Sequence, residues 1–247
     1  MNKIGEIREK LLKKTREAVR ERFGEKDVHV VRAVNALDEL DRVFNQLSEQ
    51  IIEWYSAHFP ELARAVSDNE KFLELVAGIG DRKGFTIKEI ERILKNAEKA
   101  VLIEKKALSS MGSGIEKETL QAIQELSRKA LALRQERNRL AGFIEGETEK
   151  LLPNFSRLAG KLLAARMLKE AGSFKRLALM PSSTIQVLGA EKALFRHMRS
   201  GAKPPKHGLI FQHQQVQAAR QNERGKAARK LAGRLSIAVK QDFFSKK

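Results

Sequence analysis

The sequence predicts an all-α protein: a long antiparallel coiled coil with a helical cap, followed by a compact helical domain. Leu, Ala, Glu, Lys and Arg dominate the 247 residues, with only five Pro and 6% aromatic residues. Two long segments carry apolar residues at alternating spacings of three and four, the pattern of a coiled-coil helix. Apart from the short stretch 209–211, no segment alternates apolar and polar residues as a strand does.

The first apolar seam lies in residues 28–58, after a short amphipathic helix over 3–22 that ends near Gly24. The long helix is expected to end before Pro60, because the residue that precedes a proline avoids helical dihedral angles. The seam positions are Val30, Ala33, Leu37, Leu40, Phe44, Leu47, Ile51 and Trp54.

A second seam lies in residues 115–152 and ends at Pro153. Two charged residues, Arg137 and Glu147, fall on this seam. They either extend to solvent at its edge or set the register of the helix pair at some cost in stability. The positions are Ile123, Leu126, Ala130, Leu133, Arg137, Leu140, Ile144, Glu147 and Leu151. Segment 60–114 is expected to form capping helices with seam residues Ile87, Ile90, Leu94, Ala97, Val101 and Leu108, and with Glu104 as the polar exception.

A helix pair of this length cannot bury all of its apolar surface by itself. It therefore either packs on a second copy or separates two parts of an assembly, and we expect a homodimer through the coiled coil. The residues expected at this contact are Leu37, Leu40, Phe44, Leu47, Ile51, Leu126, Leu133, Leu140 and Ile144.

Three parts follow from these patterns: a connector helix (1–27), a coiled-coil dimerisation domain (28–152) and a compact helical domain (153–247). In the last part the helices are shorter and a loop is expected over 200–208. The expected helices cover 155–170, 174–179, 182–188, 190–199, 209–219 and 223–241.

Positive charge is concentrated in the last part. The formal net charge is +17, yet residues 1–150 hold 28 Lys and Arg against 27 Asp and Glu, whereas residues 151–247 hold 20 against four. Such a segment favours a polyanion, and nucleic acid is preferred to a merely soluble basic domain. An anionic membrane surface is a weaker alternative, because the cations are interleaved with glycines and a Pro-Pro pair.

Several functional classes are excluded by what is missing from the sequence. The absence of Cys rules out disulfides, thiolate zinc sites, iron–sulfur clusters and a cysteine nucleophile. His207 and His213 have no carboxylate near them in the sequence, so neither a metal site nor another cofactor is expected. No nucleotide-binding glycine loop or Gly-x-Ser-x-Gly motif occurs, so an enzyme acting alone is not expected. No apolar run reaches about 18 residues, so we expect a soluble, cytoplasmic protein.

Residues 189–192 mark a break into a helix start, where free backbone N–H groups let a phosphate approach. Lys192 and Arg196 share a helix face, although Arg196 could instead form an internal salt bridge. Glu191 either orients Lys192 or accepts from a base amino group. Two neighbours, Leu194 and Phe195, are expected in the core.

Further candidates follow along the chain. Gln212 and His213 end an apolar run, so the amide can bond a base edge and the imidazole can stack, unless His213 caps a helix. Lys226 and Arg229, with Arg220 or Arg224, form the most plausible stripe opposite Leu231 and Leu235, and Lys230 is left out of it. The full set expected to contact RNA is Gly189, Ala190, Glu191, Lys192, Arg196, Lys203, Lys206, His207, Gln212, His213, Arg220, Arg224, Lys226 and Arg229.

Three stretches resemble the signature of the Nop-domain family, and most closely its archaeal box C/D ribonucleoprotein scaffolds. They are Leu188-Gly-Ala-Glu-Lys-Ala-Leu-Phe-Arg-His197, Lys203-Pro-Pro-Lys-His-Gly-Leu-Ile-Phe-Gln-His213 and Arg224-Gly-Lys-Ala-Ala-Arg229. The likeness is dense over 172–245. Trp54-Tyr55-x-x-His58-Phe59-Pro60 and Gly78-Ile-Gly-Asp-Arg82 extend it through the coiled coil.

The resemblance implies a non-catalytic scaffold. Its helical Nop domain would bind a kink-turn of box C/D guide RNA that is already held by a small ribosomal-protein-like partner. The coiled coil would mediate self-association, and fibrillarin would supply the methyltransferase chemistry of guided 2′-O-methylation. An archaeal cytoplasmic setting follows from the closer likeness to the archaeal form.

Two departures from the family pattern stand out. The chain begins with a helix that resembles the connector before the coiled coil, so the domain that binds fibrillarin directly in the family is not represented. Gln214 and residues 219–222 replace the prolines usual there. The alternatives are a spliceosomal pre-mRNA processing factor of the same domain family, or a basic coiled-coil protein that binds nucleic acid non-specifically.

Overall fold

The computed structural model describes residues 3–245, and all regular structure in this range is helical. The predicted all-α class is therefore confirmed. The α-helices are α1 Lys3–Gly24, α2 Lys26–Ser56, α3 Pro60–Ala65, α4 Asn69–Gly78, α5 Ile87–Leu94, α6 Ala97–Leu108, α7 Lys117–Leu151, α8 Pro153–Ala159, α9 Lys161–Ala171, α10 Phe174–Leu179, α11 Ser182–Val187, α12 Glu191–Ser200, α13 Gln214–Gln217 and α14 Arg224–Phe244. Short 3-10 helices cover Arg82–Gly84 and Leu209–Gln212.

Contacts divide the chain into two compact units. One comprises residues 37–139, and the other joins the residues up to Ala36 with those from Leu140 onward. The division passes through α2 and α7 rather than at 27/28 and 152/153. The three-part division made from the sequence stays a prediction.

Within the unit of residues 37–139, α2 and α7 run antiparallel, as predicted. The backbone N–H of Ser113, just before α7, donates to Ala57 O at 3.0 Å, just after α2. Toward the other end of the pair, Arg137 of α7 bonds Asp41 of α2, with Nε to Oδ1 at 2.8 Å and Nη2 to Oδ2 at 3.1 Å. Arg134 reaches the same carboxylate at 3.2 Å. A bidentate pair with fixed geometry favours the register role of Arg137 over simple extension to solvent.

The buried side chains show that alternate positions of each predicted seam are displaced by one residue toward the C-terminus. On α2 the positions Leu37, Phe44 and Ile51 are buried as expected. The alternating positions that are buried, however, are Val34, Ser48 and Tyr55, instead of Ala33, Leu47 and Trp54. On α7 the same displacement buries Ser127, Ala141 and Thr148 instead of Leu126, Leu140 and Glu147.

Hydroxyl groups explain this shift. Ser48, Ser127 and Thr148 each donate to the carbonyl four residues earlier on their own helix, at 2.7, 2.8 and 2.6 Å. Because these hydroxyls are satisfied within the helix, they can be buried without the cost of an unpaired polar group. The larger side chains of Leu47, Leu126 and Leu140 then lie half-buried beside the buried positions, and Trp54 is 46% exposed.

The two motifs around Tyr55 and Gly80 meet in the core of this unit. Tyr55 donates its hydroxyl to Gly80 O, and burial raises the pKa of Tyr55. His58 accepts from the Arg82 backbone N–H at 3.0 Å through Nε2, and its Nδ1 lies 2.9 Å from Ser113 O. The side chains of these motifs therefore build structure rather than a chemical site.

The predicted heptad in the capping helices is only partly right. Ile90 is buried, but Val101 is 52% exposed and Leu108 is 86% exposed. The exposed residues lie on the outer side of α6, whose buried residues are Ala100, Ile103 and Ala107. Glu104 has a local function, because its carboxylate accepts from the Ile87 backbone N–H at the start of α5 at 3.0 Å.

The other unit is built around the buried side of α14, which packs on α8, α10 and α11. Asp242 near its end is buried and holds the start of α8. Its Oδ1 accepts from Asn154 N and Nδ2 at 3.0 and 2.7 Å, and its Oδ2 accepts from Phe155 N at 2.9 Å. The buried residues of α14 are Ala228, Leu231, Ala232, Leu235, Ser236, Ala238, Val239 and Asp242.

Candidate nucleic-acid interface

Two of the expected RNA-binding segments are joined by hydrogen bonds. The N–H of Gly208 donates to Gln186 O at 2.9 Å, and the N–H of Leu209 donates to Leu188 O at 2.8 Å. The side chain of Gln186 completes the contact by donating to Lys206 O at 2.7 Å. The segment before α12 and the end of the 201–208 loop therefore form one surface element.

Glycine is required at two points of this element. A Cβ on Gly208 would lie 2.1 Å from Leu188 O, which is far inside contact distance. Gly189 has φ of +82°, and a Cβ there would lie 2.7 Å from Leu209 Cγ. Gly208 lets the two backbones approach this closely, while Gly189 permits the left-handed turn and leaves room for the Leu209 side chain.

The start of α12 differs from the expected phosphate cradle. The carboxylate of Glu191 accepts from the Gly189 N–H at 2.8 Å, and the N–H of Ala190 donates to Val187 O at 2.9 Å. These two donors are therefore used within the protein. Glu191 thus closes the turn that leads into α12 and forms no ion pair with Lys192, and its contact with a base amino group stays a prediction.

The side chains of α12 are open to solvent. The helix has no buried residue, and Lys192 and Arg196 are exposed without an ion-pair partner among the side chains that the structure describes. The internal salt bridge considered for Arg196 is thus not formed among these side chains. Phe195 is 62% exposed, so its assignment to the core is wrong, and Leu194 is half-buried. The cause is that α12 lies at the surface, since none of its residues is buried.

An aromatic cluster anchors the loop to α14. The His207 ring stacks on Phe211, with centroids 4.6 Å apart and planes at 14°, and the Arg224 guanidinium lies 5.3 Å from the Phe211 centroid. Burial first, and then the charges of Arg224 and Lys206, lower the pKa of His207 below its ordinary value of 6.5. His207 is therefore a half-buried member of the cluster, in surroundings that disfavour its protonated form.

Two candidates beside this cluster have internal partners. His213 Nε2 lies 3.1 Å from Leu158 O, and its Nδ1 accepts from the Gln215 N–H at 3.2 Å, where it caps α13. The capping interpretation of His213 is therefore the observed one. Gln212 accepts from Arg166 Nη1 at 3.0 Å through its amide oxygen. The predicted helix over 209–219 is wrong, because the extended backbone of His213 separates a 3-10 helix from α13.

The remaining candidates lie at the surface. Lys203, Lys206 and Arg220 are exposed, and Arg224 is half-buried against Phe211. On α14 the exposed cations include Lys230 and Arg234, which are not in the set expected from the sequence. The exposed cations of its first half are Lys226, Arg229, Lys230 and Arg234. The spacing of four from Lys226 to Lys230 to Arg234 could have indicated that these three cations share one side of the helix.

Charge is distributed unevenly between the two units. Residues 37–139 carry 17 Lys and Arg against 18 Asp and Glu, and many of them pair. Between residues 189 and 234 the only acids are Glu191 and Glu223, and no ion pair is formed there with any residue the structure describes. An unpaired cationic surface of this kind fits a phosphate backbone.

Among the side chains that the structure describes, no group of three or more His, Asp or Glu residues could hold a metal ion. None of the helices in the range 3–245 is long and apolar enough to cross a membrane.

Comparison with known proteins places these features in a family. A family model described as Nop, snoRNA binding domain, fibrillarin, matches residues 36–247. An uncharacterized NOP5 family protein of Methanocaldococcus jannaschii is 39% identical over 229 residues, covering 93% of this chain and 55% of that protein. Nucleolar protein 58 of Aspergillus fumigatus is 37% identical over 216 residues, covering 87% of this chain and 36% of that protein. The chain thus spans about half or less of the length of these relatives.

A solved structure supports the same assignment. The crystal structure of a fibrillarin/Nop5p complex contains a chain that is 25% identical to this one, with a TM-score of 0.54. The match covers 98% of this chain and 70% of that chain. Since the family model spans most of the sequence and includes the whole cationic surface, the chain belongs to the Nop family.

Proposed function

We propose that this chain is a scaffold of a box C/D guide ribonucleoprotein that binds a kink-turn RNA already held by a small ribosomal-protein-like partner. The observation that carries this proposal is the unpaired cationic surface of residues 189–234, which lies inside the Nop family match. Exposed Lys192, Arg196, Lys203 and Lys206 would contact phosphates. The hydrogen-bonded backbones of residues 186–188 and 208–209 would hold these side chains in a fixed arrangement.

Recognition of RNA and protein together is supported by the composition of α12. Lys192 and Arg196 are exposed on the same helix as Phe195 and Met198, which are 62% and 72% exposed. Phosphates need only the cations, whereas exposed apolar side chains gain from contact with a protein surface. A helix carrying both would favour RNA that already carries its partner.

Self-association through the coiled coil belongs to the same proposal. Leu37, Phe44, Ile51 and Ile144 are buried inside the chain and therefore stabilise the chain itself. The half-buried residues of the expected contact are Leu40, Leu47, Leu126, Leu133 and Leu140. We propose that these leucines, with exposed Trp54 beside them, form the homodimer contact.

The proposed role is non-catalytic. Fibrillarin would carry out the guided 2′-O-methylation of rRNA within the full complex in the cytoplasm, without a cofactor on this chain. The similar solved structure is a complex of fibrillarin with Nop5p, and this chain matches 70% of the chain it resembles there. We assign no direct contact between fibrillarin and residues 1–247.

Gel-shift binding tests the RNA-recognition part. The wild-type chain and a Lys192→Ala, Arg196→Ala variant are titrated with box C/D kink-turn RNA, with and without the kink-turn-binding protein, over a salt series. We expect tight binding only to the preformed RNA–protein complex. The variant should bind it more weakly and lose about two units of the log–log salt slope, one for each phosphate contact.

The matched control is Lys88→Ala with Arg92→Ala. These residues have the same identities and the same spacing of four on exposed positions of α5, in the other unit. They should leave binding unchanged. Equal wild-type binding with and without the partner, and to unrelated RNA, would instead support a non-specific basic coiled-coil protein.

A further inference from the structure

Helix α1 exposes an apolar face along most of its length. Every side chain of this helix that the structure describes is exposed, apart from half-buried Arg22. A helix draws most of its stability from packing an amphipathic face against a neighbour, so this face indicates a partner outside the chain. The five large residues of the face are 46–60% exposed. The exposed apolar residues are Ile7, Leu11, Leu12, Ala18, Val19 and Phe23.

The apolar positions of α1 are symmetric about Thr15. Counted from this residue, they lie three, four and eight positions away in both directions. With 3.6 residues per turn, all of them point within about 80° of the direction of Thr15 around the helix axis. In an antiparallel pair of two α1 helices centred on Thr15, each apolar residue would therefore face another. The facing pairs are Leu12 with Ala18, Leu11 with Val19, and Ile7 with Phe23.

The polar residues on the same face are compatible with this pairing. Thr15 donates its hydroxyl to the carbonyl oxygen four residues earlier at 2.9 Å, so the hydroxyl can be buried without losing a partner. Arg8 and Arg22 lie seven positions on either side of Thr15 and would face each other. Arg22 already forms ion pairs with Glu25 and Asp27, which compensate its charge.

The charges at the edges of the face complement each other between two copies. Glu9 of one copy would lie beside Arg20 of the second copy, and Lys10 would lie beside Glu21. The two-fold symmetry of the pair forms each of these contacts twice. Exposed ion pairs add little energy, but they favour one register over its neighbours.

The antiparallel direction is favoured by two further features. It places the positive end of each helix dipole beside the negative end of the other. It also sets Arg8 against the compensated charge of Arg22, whereas a parallel pair would set Arg8 against its own copy. Lys14 and Arg16 meet cations in either direction, and their flexible stems let the charges turn to solvent.

We propose that α1 pairs antiparallel with α1 of a second copy of this chain, centred on Thr15. This contact is separate from the one proposed above for the leucines of the coiled coil, and it does not depend on RNA. Unless the two contacts share one two-fold axis, a chain that uses both forms assemblies larger than a dimer.

Disulfide cross-linking tests both the contact and its direction, because the chain has no cysteine of its own. A Leu11→Cys chain and a tagged Val19→Cys chain are mixed in equal amounts and treated with oxidised glutathione. We expect the mixed disulfide to exceed either homodisulfide several-fold. In the antiparallel pair, positions 11 and 19 face each other, whereas two copies of either position lie about 12 Å apart along the axis, too far for a disulfide.

The matched control mixes Lys13→Cys with Glu17→Cys. These positions are also symmetric about Thr15, but they lie on the opposite, exposed side of α1 and should give little cross-linking. Homodisulfides in place of the mixed product would indicate parallel pairing, and a yield no higher than the control would show that the face meets no second copy. Either result overturns the proposal. The product reports α1 alone, so the test stands whether or not the leucines of the coiled coil pair.

Discussion

His207 shows how a residue expected to touch RNA can act by ordering its neighbours. Its ring stacks on Phe211, and the surrounding burial and the charges of Arg224 and Lys206 disfavour a proton on it. A histidine held neutral in this way shapes the loop without adding to its charge. His213 likewise has both ring nitrogens engaged by Leu158 O and Gln215 N–H.

We expect NMR titration to give His207 a pKa below 6.5. The lowered pKa means that the unfolded chain binds the proton first, so the free energy of unfolding should fall as the pH drops below 6.5. Arg224→Gln removes a nearby positive charge and should move the pKa of His207 upward. Arg234→Gln, ten residues further along α14, is the control, and an equal shift in both variants would contradict the assignment.

At the scale of elements, hydrogen bonds across distant parts of the sequence fix where helices begin. Asp242 near the end of α14 accepts three hydrogen bonds at the start of α8. Asp242→Asn keeps the size of the side chain but places an amide NH₂ donor against the N–H donors of Asn154 and Phe155. The free energy of unfolding in urea should decrease by about 1–3 kcal/mol, the cost of an unsatisfied buried polar group.

Gln241→Ala serves as the control, because its side chain is exposed on the adjacent position of the same helix. This variant should unfold within about 0.5 kcal/mol of the wild type. If Asp242→Asn had the wild-type unfolding midpoint, the carboxylate would not be what holds α8.

The elements also show what the sequence can and cannot predict. The helices and their antiparallel pairing follow from apolar spacing and from Pro60 and Pro153. The buried side of the pair does not, because size favours Leu47 whereas the structure buries Ser48, whose hydroxyl is satisfied by Phe44 O. At the candidate site the RNA contacts stay a prediction, and the exposure of Phe195 could not be predicted because it depends on tertiary packing.

For the whole molecule, the half-buried leucines proposed as the homodimer contact predict concentration-dependent association. They are Leu40, Leu47, Leu126, Leu133 and Leu140, here called the leucine flank. Trp54, the only tryptophan, is 46% exposed on this flank. Its fluorescence emission should shift to shorter wavelength as the mass in sedimentation equilibrium rises from monomer to dimer. Leu40→Gln should weaken association, because a half-buried apolar contact would acquire an unpaired amide.

Asn45→Gln is the control, since helical geometry places this exposed residue on roughly the opposite side of α2 from Leu40 and Trp54. It should associate as the wild type does. A chain that stays monomeric at all concentrations, or a dimer whose Trp54 emission does not move, would show that this flank is not the contact.

The uneven charge of the two units has a kinetic consequence. Residues 37–139 are almost neutral, while the rest of the chain carries 31 basic and 13 acidic residues. A polyanion therefore attracts one unit over about a Debye length and leaves the other unaffected. In the proposed assembly, capture of RNA would be steered by charge and would slow as ionic strength rises, whereas pairing through Leu40, Leu47, Leu126, Leu133 and Leu140 would proceed at a rate that added salt barely changes. The two proposed steps of assembly would thus respond independently to the ionic composition of the medium.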